Sequence, residues 1–433
     1  VALIQSWVLP EEAFMDLGKP PAFLIAFGKA WSLILLLIRP ILLLTSAKFR
    51  EREKGVLSQS ACKREGDAPL SVWIHASSLG EFEQARPIIE GMKKRNPTID
   101  VTVTFFSPSG YRIRHSYEYA NRILYLPLDS SKNASSFLKS INPDIILFIR
   151  YELWLNYLLE ARKLAIPVYA VNATYPRSTL WNIFPGILRS ILSLFSEIYT
   201  VDSSEATLFS SLRVAIPVHA GHDTRIDRIH ENVSVMKNNH AIVKELLPGF
   251  MKEERPCIVL GSSWSEDEQL FLSAISSMDE SVRLIIVPHE PNQEHCLALQ
   301  ESLPNSILLS ECKDIGNHHV IVDSIGSLLA VYAIADAAYI GGGFGAGVHS
   351  CAEPAGYGIP LACGPFISRS PDAEKLHQEG ALEIIRNADD AKVWLKAICA
   401  GVMDKAGLAS KHYIESRRGM TDIILRDIIG LED

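Results

Sequence analysis

From about residue 70 the chain alternates short runs of β-branched and aromatic residues with stretches whose apolar positions recur every three to four residues. The runs "SVWIHA", "DVTVTFF", "RILYLP", "DIILFI", "PVYAV" and "EIYTV" predict strands, and Phe82 to Arg95 and Leu153 to Lys163 predict amphipathic helices between them. A β-then-α rhythm of this kind implies a parallel sheet with right-handed crossovers. The rhythm breaks at "ENVSVMKNNHAIVKELLPGFMKEERP", read as helix and linker, and restarts with "CIVLGSS", "VRLIIVPHE", "HVIVDSIG", "AAYIGGGFG" and "IPLACGP". Each of these ends in Gly, Pro, Ser or Asp, the loop chemistry found where open α/β sheets bind ligands. The expected architecture is therefore α/β, two doubly wound Rossmann-like domains facing across a cleft, with domains at 56–230 and 231–433.

Residues 1–55 follow a different pattern. "PPAFLIAFGKAWSLILLLIRPILLLTSAKFREREKG" is apolar but interrupted by Lys29 and Arg39, and Pro40 is expected to kink it. Its runs are shorter than the roughly 20 uncharged residues of a spanning helix. They predict a membrane-associating helix at the bilayer surface, with Lys48, Arg50, Arg52 and Lys54 drawn to an anionic cytoplasmic leaflet. A cleaved signal peptide and a buried core helix are the alternatives.

Composition narrows the function. The 433 residues carry 42 basic and 50 acidic side chains, a net charge of -8, so no overall field draws nucleic acid. Seven scattered cysteines without C-x-x-C spacing fit neither a disulfide framework nor a zinc site, and "HEPNQEH" lacks the H-E-x-x-H spacing of two imidazoles on one helical face.

Two stretches carry candidate chemistry. In "HASSLGEFEQAR" the segment Ser78 to Glu81 fits a capping box, in which serine and glutamate satisfy each other's amides at a helix start. The same carboxylate is also suitably placed to accept a proton. In "AYIGGGFGAGVHSCAEPAGYGIPLACGP" a strand ends in Gly341, Gly342 and Gly343, continues through Gly345 and Gly347, and leads to His349 and Ser350. Such a turn lets amides approach a phosphate, and Ser350 to Glu353 again has the S-x-x-E spacing of a box that would open an anion-favouring helix. Neither a Walker A loop nor a clean dinucleotide fingerprint is present.

These words, in order, resemble the 3-deoxy-D-manno-oct-2-ulosonic acid (Kdo) transferases, membrane-associated GT-B glycosyltransferases of lipopolysaccharide synthesis. "HASSLGE" is similar to the family's H-x-x-S-x-G-E, "TFFSPSGY" to T-x-T-P-T-G, and "YELWLN" to E-L-W-P-N, with Leu155 for proline and Arg150 where an acidic residue is frequent. "GHDTRID" parallels a G-x-x-K/R-x-D segment that would bring Arg225 and Asp227 to the cleft. "GSSWSEDE" resembles G-S-T-H-x-G-E with Trp264 for histidine, and "VPHEPNQEH" stands where V-P-R-H-P-E-R is usual, so that His289 replaces an arginine. Further on, Ser327 replaces an acidic residue and Ser350 an asparagine.

The resemblance implies Glu81 as catalytic base. It implies a donor site at Gly261, Ser262, Ser263, His289, Gly326, Gly342, Gly343, Gly345, His349, Ser350 and Glu353, and acceptor contacts at Ser77, Ser78, Gly80, Ser109, Glu152 and Arg225. It further implies CMP-Kdo as donor, a lipid A precursor (lipid IVA-like) as acceptor, inverting displacement without a metal or other cofactor, and a place on the cytoplasmic face of the inner membrane. Two other readings stay open: a GT-B enzyme using a UDP-sugar, and a catalytically inactive membrane-attached nucleotide-binding protein. Trp154, an aromatic on an amphipathic helix, is expected in the core.

Overall fold

The computed structural model describes residues 20–59, 68–250, 255–279 and 281–432. Residues 1–19 of the expected membrane segment, Cys62, and 251–254 of the linker lie outside the described residues. The chain divides into two units, Val1–Asp227 with Gly419–Asp433, and Arg228–Arg418.

The first unit is built on a parallel seven-stranded sheet: β1 (Ser71–His75), β2 (Asp100–Phe105), β3 (Arg122–Tyr125), β4 (Ile145–Ile149), β5 (Val168–Ala173), β6 (Glu197–Thr200) and β7 (Val218–Ala220). Their spatial order is β3-β2-β1-β4-β5-β6-β7. Successive side chains of a strand point to opposite faces, so Val72 and Ile74 join one core with Val101, Val103 and Leu147, and Trp73 joins the other with Phe148 and Tyr157. Six strands fall where the hydrophobic runs predict them. β7 was missed, since "VHA" is too short to display a period and only one of its residues is even half-buried.

Strand order departs in opposite directions from β1 and β4, which makes the gap between their C-terminal ends a topological switch point. Two segments start there. One leads from β1 into α3 (Leu79–Arg95), preceded in the chain by α1 (Ala22–Thr45) and α2 (Ala47–Ser58). The other leads from β4 to α6 (Leu155–Lys163), after α4 (Pro108–Arg114) and α5 (Ser131–Ile141).

The second unit repeats the plan with β8 (Cys257–Ser263), β9 (Arg283–Pro288), β10 (Ser306–Leu308), β11 (His319–Ile321), β12 (Ala337–Ile340), β13 (Leu361–Cys363) and β14 (Leu382–Ile384). The order β10-β11-β9-β8-β12-β13-β14 puts its switch point between β8 and β12. The three-residue strands β10 and β14 at the two edges escaped the pattern reading for the same reason as β7.

Read linearly, 231–433 is one domain, but the chain returns. The helix Met420–Asp427 buries Met420, Ile424 and Leu425 in the core of the first unit with Ile88, Ile89 and Met92. Asp227 fastens it, accepting hydrogen bonds from the Gly419 amide and, each at 2.7 Å, from the amide and hydroxyl of Thr421. The side chain expected near a cleft is thus a helix cap.

The N-terminal segment also belongs to the first unit. α1 is continuous through Lys29, Arg39 and Pro40, 24 residues or about 36 Å at 1.5 Å per residue. It is long and apolar enough to cross a membrane, where only shorter runs were expected, and it continues as helix through the proline expected to kink it. One narrow stripe docks on the unit: Leu24 and Gly28 are buried, and a Cβ on Gly28 would lie 2.9 Å from Leu159 and 3.0 Å from Asn156. The other faces expose Phe23, Phe27, Trp31, Leu33, Ile34, Leu37, Ile41 and Leu44. Of the four cations expected at a membrane, Lys48, Arg50 and Lys54 are exposed, but Arg52 is not. Its guanidinium turns inward, 1% exposed, onto Glu53, the Leu126 carbonyl and the face of Phe106 at 4.2 Å.

Candidate active site

Glu81 lies in the first turn of α3, directly beyond the C-terminal end of β1. The capping box predicted for it is formed: Ser78 N–H donates to Glu81 Oε2 at 3.0 Å, and Glu81 N–H to Ser78 Oγ at 3.5 Å. The glutamate is 3% exposed, whereas Gly80 beside it is exposed and a Cβ there would meet nothing within 4 Å. Burial pushes its carboxyl up to about 7, and the nearby anion of Glu152 adds to the rise. Amides of Ser78 and Ser77 and the charge of Arg150 oppose it without cancelling it.

Glu152 enters from the other strand of the switch point, in the turn between β4 and α6. Burial raises its pKa, but His75, Ser77 and Trp154 around it outweigh that and hold it below the ordinary value. Trp154 Nε1–H donates to Glu152 Oε2 at 2.6 Å, and His75 Nε2 lies 3.7 Å from the same oxygen. Trp154 is half-buried against the core, as expected, with its indole N–H turned to Glu152. His75 is fully buried, its Nδ1 2.8 Å from Thr104 Oγ1 and its Nε2 2.9 Å from Ser77 Oγ. Sequence reasoning left His75 and Thr104 out of the site. The signal available was a polar alternation, His75 and Thr104 in register across β1 and β2, inside otherwise apolar strands.

The remaining acceptor candidates sit around this centre. Ser77 carbonyl accepts from the amides of Phe106 and Ser107, tying the β1 and β2 turns together, and Ser109 is exposed with its hydroxyl 2.8 Å from Ser107 Oγ. Arg225 is exposed and pairs with Asp223 at 2.8 Å, while Asp223 accepts from Gln84 of α3 at 2.8 Å. That link carries Arg225 to the same helix as Glu81.

In the second unit the loops after β8 and β12 converge at the switch point. Glycine is required where they touch: a Cβ on Gly341 would lie 2.2 Å from the Ser262 carbonyl oxygen, and one on Gly343 2.6 Å from Gly364 backbone. Gly341→Ala is expected to force the ends of β8 and β12 apart and to cost about 3 kcal/mol, read as a lowered urea midpoint for this unit.

The glycine loop differs from the open phosphate cradle expected of it. Gly342 N–H donates to Asp267 Oδ2 at 3.0 Å, Gly345 and Gly347 N–H to the Gly342 carbonyl, and His349 N–H to the Gly341 carbonyl. Asp267, which also accepts from Tyr339 at 2.6 Å and from the Trp264 amide, organises the loop and was not foreseen. The expected box at Ser350 is absent: the cap residue is Cys351, without a side-chain cap bond, and the helix is only Ala352–Ala355. One turn carries little of the macrodipole that a longer helix would offer an anion.

Other donor candidates are placed as follows. Ser263 is buried and donates to Glu268 at 2.8 Å, with His295 closing on the same carboxylate at 2.9 Å, so neither residue is directed at a ligand. Gly261 packs on the Tyr332 hydroxyl, Ser262 is half-buried, Gly326 is exposed, and Glu353 is half-buried close enough to Tyr332 and Tyr357 to raise their pKa values. Three rings form a stack: His289 lies 4.8 Å from Trp264 and 4.3 Å from His349. Trp264 Nε1–H donates to His349 Nε2 at 3.3 Å, which assigns the proton of His349 to Nδ1. Burial, reinforced by His289, lowers the pKa of His349 and keeps it neutral. Among the described residues no group of three or more His, Cys, Asp or Glu is arranged to hold a metal.

The fold has solved counterparts. UDP-GlcNAc 2-epimerase from Neisseria meningitidis, bound to UDP-GlcNAc, aligns with 83% of this chain and 100% of its own at TM-score 0.59 and 14% identity. A glycosyltransferase from Rickettsia africae aligns with 83% of this chain and 97% of its own at TM-score 0.50 and 11% identity. With two parallel seven-stranded sheets in two Rossmann-like units, the fold is of the GT-B class. Residues 47–228 match the family profile described as 3-deoxy-D-manno-octulosonic-acid transferase (kdotransferase). The 3-deoxy-D-manno-octulosonic acid transferase of Chlamydophila psittaci is 26% identical over 73% of this chain and 74% of its own, and that of Haemophilus influenzae 22% identical over 88% and 92%. Over residues 47–228, and at 22–26% identity over most of its length, the chain is similar to this family of glycosyltransferases.

Proposed function

We propose that the protein transfers Kdo from CMP-Kdo to a hydroxyl of a lipid A precursor, with Glu81 as general base. The observation that carries this reading is the buried Glu81 carboxylate, pushed up to about 7, at a strand end beside open space at Gly80. A sugar hydroxyl is a weak nucleophile at neutral pH, and a base whose pKa lies near the working pH is best suited to take its proton. As the new C–O bond forms at the anomeric carbon, the proton passes to Glu81 and the bond to the CMP phosphate breaks, the electron pair leaving with the phosphate. One displacement at that carbon inverts it.

The second unit would hold the nucleotide at the ends of β8 and β12. With the amides of Gly342, Gly345, Gly347 and His349 committed internally, polar contact with the phosphate falls to the remaining loop amides, the imidazoles of His289 and His349 and Ser350, and no metal is required. The exposed apolar faces of α1, with Lys48, Arg50 and Lys54 beyond them, support placement at the cytoplasmic face of the inner membrane, where an anionic lipid-linked acceptor resides.

The test is incubation with CMP-Kdo and a tetra-acylated lipid A precursor, followed by mass spectrometry of the lipid. Addition of Kdo mass is the expected result. Unchanged lipid, together with tighter binding of UDP than of CMP, would replace this reading with that of a UDP-sugar enzyme.

A further inference from the structure

Glu152 was expected to touch the acceptor, yet its hydrogen-bonding capacity is directed inward. Trp154 donates to it at 2.6 Å, His75 Nε2 stands 3.7 Å away, and the Ser77 hydroxyl lies 2.9 Å from that nitrogen. These donors belong to a directional chain. Trp73 Nε1 can only donate, and does so to Thr104 Oγ1 at 2.8 Å. Thr104 keeps its own proton free to offer to His75 Nδ1 at 2.8 Å, the arrangement that puts the imidazole proton on Nε2, toward Ser77 and Glu152. His75 is fully buried and so has no solvent alternative to this arrangement.

Ser77 joins the two carboxylates. Its hydroxyl is 2.9 Å from the His75 Nε2 that faces Glu152, and the residue directly precedes Ser78, whose N–H holds Glu81 at 3.0 Å. Building on the base reading of Glu81, we propose that Glu152 is a positioning residue: a fixed anion, caged by His75, Ser77 and Trp154, that serves the reaction through Glu81 and does not bind the acceptor. Two like charges so placed disfavour each other's ionised forms, and the caged one keeps its charge, so the proton affinity of Glu81 rises. The charged groups facing Glu81 are Glu152 and Arg150. Arg150 is exposed, where solvent screens it, while Glu152 acts from a mostly buried position.

Glu152→Gln removes the anion and keeps the shape; Trp154→Phe removes one donor of the cage and keeps the ring. In each full-length variant, kcat and the acceptor KM are followed against pH. Glu81 is titrated by carboxyl 13C NMR in glutamate-labelled protein, its resonance assigned by its absence in Glu81→Gln. Expected for Glu152→Gln is a Glu81 midpoint lower by about one unit, a matching acid-side shift in kcat, and an acceptor KM within about twofold of wild type. Trp154→Phe shifts both in the same direction by less, and carries the test should the first variant fail to fold. An unmoved Glu81 midpoint, or an acceptor KM raised about tenfold, overturns the proposal. Wild-type turnover in Glu81→Gln would instead remove the base reading, and the NMR titration would still report whether Glu152 acts on Glu81.

Discussion

Glu81→Gln keeps the fold and lowers Kdo transfer by about 10²-fold or more. A glutamine can still accept from the Ser78 amide, so a residue that only caps α3 would lose little on this change. A residue that takes the acceptor proton loses its function entirely. In the wild type, turnover rises with pH through the value of about 7 set by burial and Glu152, because only the ionised form is a base.

Stability runs the other way. The folded pKa of about 7 lies above the ordinary 4.5, so between these values the native state binds more protons than the unfolded chain. Stability therefore falls as pH rises through that window, by up to ~3 kcal/mol from this one group. Denaturant unfolding at pH 5 and pH 8 is expected to show a larger fall in the wild type than in Glu81→Gln, where the buried Asp129, likewise pushed up to about 7, still contributes. Equal pH dependence in the two would mean that the carboxyl is not perturbed. Lost turnover together with a flattened stability profile is the signature of a site that holds a base against its solvation preference.

The second large effect is expected at Arg52. Arg52→Ala strips Glu53 of one of its two cationic partners, Arg39 at 2.7 Å remaining, leaves the Leu126 carbonyl without its guanidinium, and empties the space over Phe106. Loss of a buried charge partner plus a cavity is expected to cost about 3 kcal/mol. The loss is local: hydrogen exchange of α2 should accelerate first, with the second unit unaffected. Arg52→Met, which refills the volume, should recover part of the loss. Phe106 packs 5.1 Å from Trp154, whose indole holds Glu152, so a modest fall in kcat is also expected in Arg52→Ala.

Much of the molecule is legible in local pattern. The long buried strands, the helix at Leu79 with its Ser78 and Glu81 box, and the apolar N-terminal helix are each specified by residues within a few positions of one another. That is the range over which periodicity and capping operate. The ordered succession of short motifs likewise pointed to the family whose profile residues 47–228 match.

What only the tertiary structure decided involves partners far apart in the chain. Gly342 meets Asp267 across 75 residues, and Asp227 meets Thr421 across 194. Arg52 reads as one more cation in a basic run until packing turns it onto Leu126 and Phe106. Ser350 and Glu353 have the spacing of a cap but not the helix to use it. Above all, the state of Glu81 depends on its burial and on a glutamate 71 positions later, brought beside it because β1 and β4 are neighbours in the sheet. The sequence by itself determined which groups were present and which segments would carry them. Their proton affinities and the occupancy of their hydrogen bonds depend on dielectric and distance, and those exist only once the sheet has assembled.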